Sequence, residues 1–155
     1  MKKLVTSKIK EALVKSNHQA CADLAFLALT IWREARGESL EAKAGVAYCI
    51  MNRVNRPSWW GRDITSVVFK RWQFSSMTDS RDRQLTTWPA TDDKSWVDSL
   101  MTAFGAMNGT LENPVPGADS YHDISIPPPP WAQKAYFAGQ LGRLRFYDVD
   151  KDLEA

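Results

Sequence analysis

Cysteine and histidine are scarce in this chain of 155 residues, with two of each. Cys21 and Cys49 form no CxxC pair, His18 and His122 lie far apart, and no HExxH occurs, so the sequence offers no basis for a zinc or dithiol centre, and no metal or cofactor is expected. Both cysteines read as small buried apolar residues, with a disulfide as the alternative outside the cytoplasm. There is no glycine-rich phosphate loop, no Ser-His-Asp order and no internal repeat. Neither sign of charge is in large excess: 20 Lys+Arg against 18 Asp+Glu give +2. With no basic stripe, that argues against a nucleic-acid partner. Long apolar runs are also missing. The most apolar stretch, from Ala22 to Trp32, carries Asp23 and is too short to span a membrane, so no integral membrane segment is expected. Lys2 and Lys3 resemble the start of a secretion signal, but Lys8, Lys10, Glu11 and Lys15 interrupt any apolar segment behind them. The expectation is a chain made in the cytoplasm without a cleavable signal.

What the chain has is an ordinary globular composition, 44% hydrophobic and 25% charged. One domain of this length buries about two-thirds of its unfolded surface and needs no staple. Seven tryptophans are the unusual number; they imply a Trp-rich core, a ring-stacking groove, or both.

Leu4, Val5, Ile9, Ala12 and Leu13 mark one side of a short N-terminal helix with lysines opposite, giving an amphipathic extension over 1–20 ahead of a domain over 21–150. A solvated helix packed on the body is the plain reading, and contact with a membrane or anionic polymer the alternative. Asp23 is read as opening a second helix through Leu24, Leu27, Ala28, Ile31 and Ala35, stopped by Gly37. A third follows Ser39 through Ala44, Ala47, Ile50, Met51 and Val54 and ends near Arg56, before Pro57. Asp63 caps a short helical stretch through Val67, Val68 and Trp72. Phe74 to Ala90 reads as a long loop of functional character. Thr91, Asp92 and Asp93 signal the start of a helix whose apolar face is Trp96, Val97, Leu100, Ala103, Phe104 and Met107, stopped by Asn108-Gly109. Ser120 to Asp123 reads as a strand, Pro127 to Pro130 with Trp131 as a packed loop, and Leu144, Phe146 and Val149 as a final strand. The fold class is α+β, mostly helical, with a small β element near the C-terminus.

The stretch richest in chemistry is Ile31-Trp32-Arg33-Glu34-Ala35-Arg36-Gly37-Glu38. Glu34 sits at the end of an apolar helix, where desolvation and the negative end of the helix dipole both disfavour the carboxylate. A carboxyl held protonated near neutral pH is a general acid. Arg33 and Arg36 oppose this if either reaches it, and on the residue pattern alone a solvent-exposed Glu–Arg pair is the favoured reading. Other candidates are Tyr121, to orient Glu34 or donate to substrate; Gln73, Phe74 and Ser75, to bind it; and Glu38 and His122, each with a structural alternative. Trp59 and Trp60 are the best ring platform, with Trp32, Trp72 and Trp96 read as core and Asn52 and Arg53 as ties between helices.

Glu34-Ala35-Arg36-Gly37-Glu38, Gly45-Val46-Ala47, Asn52-Arg53-Val54, Gln73-Phe74-Ser75, Tyr121-His122, Pro130-Trp131-Ala132, Leu141-Gly142 and Phe146-Tyr147, in that order, resemble the cell-wall hydrolases that include spore cortex-lytic enzymes and small phage endolysins. The resemblance spans Leu24 to Tyr147. It implies a lysozyme-like domain acting on peptidoglycan glycan strands, with Glu34 as the acid of a lytic transglycosylase that leaves a 1,6-anhydro end. It also implies a phage endolysin, monomeric, delivered to the wall by a holin and acting in the periplasm of a Gram-negative host. Leu144 departs from the pattern, standing where a histidine is usual. Two other readings stay open. A water-using muramidase needs a second carboxylate, with Glu38, Asp79, Asp119 or Asp123 as candidates, and a glycan-binding protein without activity needs none.

Overall fold

The computed structural model describes the backbone of residues 2–56 and 59–154 and the side chains of residues 16–56 and 59–151. Five α-helices and a three-stranded sheet follow in chain order: α1 (Lys2–Ala35), α2 (Leu40–Asn55), α3 (Ile64–Val68), α4 (Ser75–Thr78), α5 (Lys94–Asn108), β1 (Ser120–Asp123), β2 (Phe137–Leu141) and β3 (Leu144–Tyr147). The expected α+β class, mostly helical with its β element near the C-terminus, is what is seen.

The helix expected to open at Asp23 does not. α1 runs unbroken from Lys2 to Ala35. The Asp23 carboxylate instead accepts from Gln19 one turn back (2.9 Å) and from Thr65 Oγ1 (2.9 Å), tying α1 to α3. The apolar pattern expected at Leu4, Val5, Ile9, Ala12 and Leu13 lies outside the described side chains. Leu27, Ala28, Ile31 and Ala35 are buried as their spacing requires, and each large aliphatic contributes about 1.5–3 kcal/mol of burial. α1 ends before Gly37 in a turn in which Glu38 N–H donates to Ala35 O.

Ser39 caps α2, its hydroxyl accepting from Ala42 N–H. Gly45 lets α2 meet the sheet: a Cβ there would stand 2.6 Å from Phe146 Cζ and 3.0 Å from a Leu141 methyl. Asp63 and Ser66 form a reciprocal capping box at α3. Asp93 caps α5 through Ser95 and Trp96 N–H, and its second oxygen accepts from Trp32 Nε1 at 2.9 Å. Gly109 ends α5 in the left-handed conformation at φ 67°.

The apolar face expected on α5 is met at Ala103 in the core and at Trp96, Leu100 and Met107 packed against it, and fails at its edge. Val97 and Phe104 are exposed, while Ser99, Thr102, Ala103, Gly105 and Ala106 are buried. Small side chains at these positions let α5 pack closely on both α1 and α2. The stretch from Phe74 to Ala90 is not a bare loop: it contains α4 and a 3-10 turn, Arg83–Thr86. Val149 lies beyond the last strand, in a 3-10 turn, and β2 was not anticipated, because Phe137–Leu141 shows no inward alternation. The sheet order is β1-β3-β2, antiparallel throughout, with Tyr121 opposite Phe146. Pro127, Pro128 and Pro130 are exposed rather than packed; Trp131 alone turns inward, edge-on to His122 and Tyr147. Cys21 is exposed, against expectation, Cys49 is buried, and both are free. Among the described residues no helix is long and apolar enough to cross a membrane.

Candidate active site

The end of α1, the turn around α4 and strand β1 converge on Glu34. Ser76 Oγ donates to Glu34 Oε1 at 2.5 Å and Tyr121 OH donates to Oε2 at 2.8 Å. The neighbouring Arg33 grips the same turn from the other side. Its guanidinium donates to the carbonyls of Ser76 (2.9 Å), Leu85 (2.9 Å) and Thr87 (3.3 Å). Consecutive residues of one helix thus hold Ser76 by its carbonyl and its hydroxyl. A buried arginine meeting three carbonyls also explains why a segment with no periodicity is ordered. Arg36 turns away to Gln84 and the Trp32 ring. Neither arginine flanking Glu34 pairs with it.

Burial pushes the Glu34 carboxyl above its ordinary range, and Asp82 adds to this; hydrogen bonds from Ser76 and Tyr121 and the charge of Arg53 pull the other way without cancelling it. The result is a carboxyl biased toward its protonated form and fixed in orientation. Burial, with the Glu34 charge and hydrogen bond, pushes the Tyr121 phenol well above its ordinary value, so it stays a donor.

Glu34 and Tyr121 open onto a groove of about 470 Å³. Its walls are Trp59, Trp60, Trp72, Phe74 and Trp131, with Arg53 and Gln73 between them. Trp59 lies over Trp60 at 3.7 Å between ring centroids, and beneath them the Arg53 guanidinium faces the Trp60 ring at 4.2 Å and the Phe74 ring at 5.0 Å. Arg53 also donates to Asp119 O at 2.7 Å, and Asn52 to Ala118 O at 2.7 Å. The expected ties between helices are not what these two residues make: both hold α2 to carbonyls just ahead of β1, and Arg53 is a groove residue besides.

Several expected site residues fall elsewhere. Ser75 is exposed and donates to Asp82; its neighbour Ser76, one residue on, is the partner of Glu34. Glu38 lies outside the groove, accepting from Arg143 N–H. His122 is buried outside it, stacked on Tyr147, with Nδ1 3.0 Å from Asp123 O. Trp72, expected in the core, is 70% exposed on the groove wall. It also has φ 69°, the one positive value outside glycine among the described residues, in a region that costs an L residue about 1–2 kcal/mol.

Of the four carboxylates considered as a second acid or base, none lines the groove. Asp79 is held down to about 2 by hydrogen bonds from Arg81, and Asp123 to about 2 by Ser125 and then Arg143. Asp119 is buried and saturated by Ser120 Oγ and the amides of Val149 and Asp150. Sequence reasoning missed Asp150, a groove-lining residue whose Oδ2 is buried and has no hydrogen-bond partner among the described residues. Nothing in its local sequence marks it.

The family model for cell wall hydrolases matches residues 37–147. The chain belongs to the cell wall hydrolase family. The matched stretch contains Gln73, Phe74, Ser76 and Tyr121 and starts just after Glu34, so Glu34 stands on its geometry. The structure is similar to the catalytic domain of the Bacillus cereus SleB protein, with a TM-score of 0.63 and 22% identity, covering 81% of this chain and 88% of that one. It is also similar to the catalytic domain of the germination-specific lytic transglycosylase SleB from Bacillus anthracis, with a TM-score of 0.64 and 22% identity, covering 81% and 93%. These likenesses establish a shared fold. A search of curated proteins finds no match. As a cell wall hydrolase the protein is an enzyme, and the groove around Glu34 is its candidate active site.

Proposed function

We propose that this cell wall hydrolase is a lytic transglycosylase of peptidoglycan, with Glu34 as its acid and then its base. The observation that carries the reading is a carboxyl pushed toward its protonated form, held by Ser76 and Tyr121 and opening onto an aromatic groove.

Glu34 gives its proton to the oxygen between N-acetylmuramic acid and N-acetylglucosamine. The bond from that oxygen to the muramic acid anomeric carbon breaks, and the leaving sugar keeps the oxygen as a hydroxyl. The 6-hydroxyl oxygen of the same muramic acid bonds to the anomeric carbon, and its proton passes to the Glu34 carboxylate. The acid is regenerated, no water is consumed, and the product is a 1,6-anhydro sugar. Acid–base help of this kind is worth about 10²–10⁴-fold. In the carboxylate stage the Tyr121 and Ser76 donors carry the negative charge that Glu34 acquires. The aromatic walls suit pyranose rings, whose C–H faces stack on indoles.

The reading extends to setting. The motifs shared with small phage endolysins support an enzyme that works as a monomer from inside the host and reaches the wall through a separate holin, with residues 1–20 as an appendage to the domain over 21–150.

The presence of Asp150 in the groove lining favours a second reading, a muramidase in which it activates water. Mass spectrometry of fragments released from purified peptidoglycan separates the two. Muropeptides lighter by about the mass of one water and resistant to borohydride are expected for the cyclising reaction. Reducible ends at full mass would move the assignment to hydrolysis, and cut peptides on intact glycan would refute both.

A further inference from the structure

The groove wall holds a residue that the acid–base chemistry does not use. Trp72 has φ 69° and is 70% exposed. Each is unfavourable for the folded chain: the first strains the backbone, and the second leaves a large apolar ring in water. Glycine at this position would remove both. Among the described residues no hydrogen bond from its indole is seen. The interaction the ring makes is with the guanidinium of Arg71, its neighbour in the chain, 4.6 Å from the ring centroid. The turn around it is closed by backbone alone, Gln73 N–H donating to Lys70 O at 3.2 Å. This turn sets the indole in the groove wall immediately before Gln73 and Phe74, in the same groove as the half-exposed Trp59. None of its interactions reaches Glu34 or Tyr121.

We infer that Trp72 is a sugar-stacking platform, offering its indole face to a pyranose of the glycan strand and so setting how strongly the groove holds its substrate. The inference rests on the reading of the groove as a glycan site. A pyranose presents one face of C–H bonds with hydroxyls around its rim, which an exposed indole matches without a charge partner. The chemical class of ligand is thus a β-linked hexosamine chain rather than a peptide or a phosphate.

The test uses the full chain carrying Glu34→Gln, so that bound glycan is not consumed, with short peptide-stripped peptidoglycan glycan strands as the probe in calorimetry. Trp72→Phe keeps a ring, Trp72→Leu keeps bulk and strain but no ring, and Trp72→Gly removes both. Affinity is expected to fall about 3- to 10-fold for Trp72→Leu and Trp72→Gly, and to stay within about 2-fold for Trp72→Phe. Trp72→Gly is expected to melt no lower than its parent, because strain relief offsets the added chain entropy. Unchanged affinity in Trp72→Leu and Trp72→Gly, with the parent binding normally, overturns the platform and leaves the glycan groove standing. Failure of the parent itself to bind the strands overturns the glycan reading, and the platform with it.

Discussion

Replacing Glu34 by glutamine removes one transferable proton and almost nothing else. The side chain keeps its shape. Its amide oxygen can accept from one of the two hydroxyls that now donate to the carboxylate, Ser76 and Tyr121. Its amide nitrogen can donate to the other, whose hydroxyl hydrogen is free to rotate. No buried polar group is orphaned, so the fold should hold. Catalysis should not. The loss of general acid help is about 10²–10⁴-fold in kcat, or about 2.7–5.4 kcal/mol of barrier, read from soluble muropeptide release at saturating peptidoglycan.

Stability should move the other way, and the sign follows from the pKa. Burial raises Glu34 above its ordinary 4.5, so the folded state holds that proton more tightly than the unfolded chain. Wild-type protein therefore loses stability as pH rises from 4.5 through the folded value, and glutamine, which never ionises, does not. The variant is expected to melt with the wild type at pH 4 and above it at pH 8. Activity within tenfold of wild type would refute Glu34 as the acid. A lower melting temperature than wild type at pH 8 would refute the account of its burial.

Tyr121→Phe and Ser76→Ala each remove a donor that favours the carboxylate. Glu34 should then ionise at higher pH, so the alkaline limb of the pH–rate profile should move up in both while peak activity falls; a limb moving down would contradict the assigned hydrogen bonds. Arg33→Met should free the carbonyls of Ser76, Leu85 and Thr87. A loss of about 2–4 kcal/mol is expected, with hydrogen exchange accelerating first across residues 75–87. Gly45→Ala should drive a methyl into Phe146 and Leu141, destabilising by about 1–3 kcal/mol. That is a fall of about 2–12 °C in Tm for a chain this long, with the α2–β3 contact as the site of damage by NMR.

Helices and their caps are legible wherever local chemistry decides them. Ser39, Asp63 and Asp93 each end an irregular stretch with an oxygen that accepts helix N–H groups, and each caps the helix expected of it. Asp23 carries the same signal and fails, because Thr65 of a distant helix and Gln19 one turn back satisfy its carboxylate in mid-helix. Glu34 is legible as a candidate because it follows an apolar helical stretch, at the carboxyl end of the helix dipole. Its partners are only partly so. Tyr121 could be named from its motif, but choosing Ser76 over Ser75 depended on which of two adjacent hydroxyls α4 turns toward α1. Nothing local separates Trp72 from a core tryptophan; the turn after Lys70 places it in the groove. Asp150 had no local mark at all; it reaches the groove because the amides of residues 149 and 150 close onto Asp119. Sequence by itself determined α2, α3 and α5 with their caps, and singled out Glu34 as the candidate acid. Tertiary structure decided what surrounds that carboxyl, because desolvation and hydrogen bonding at one atom are set by side chains that arrive from 42 and 87 residues away.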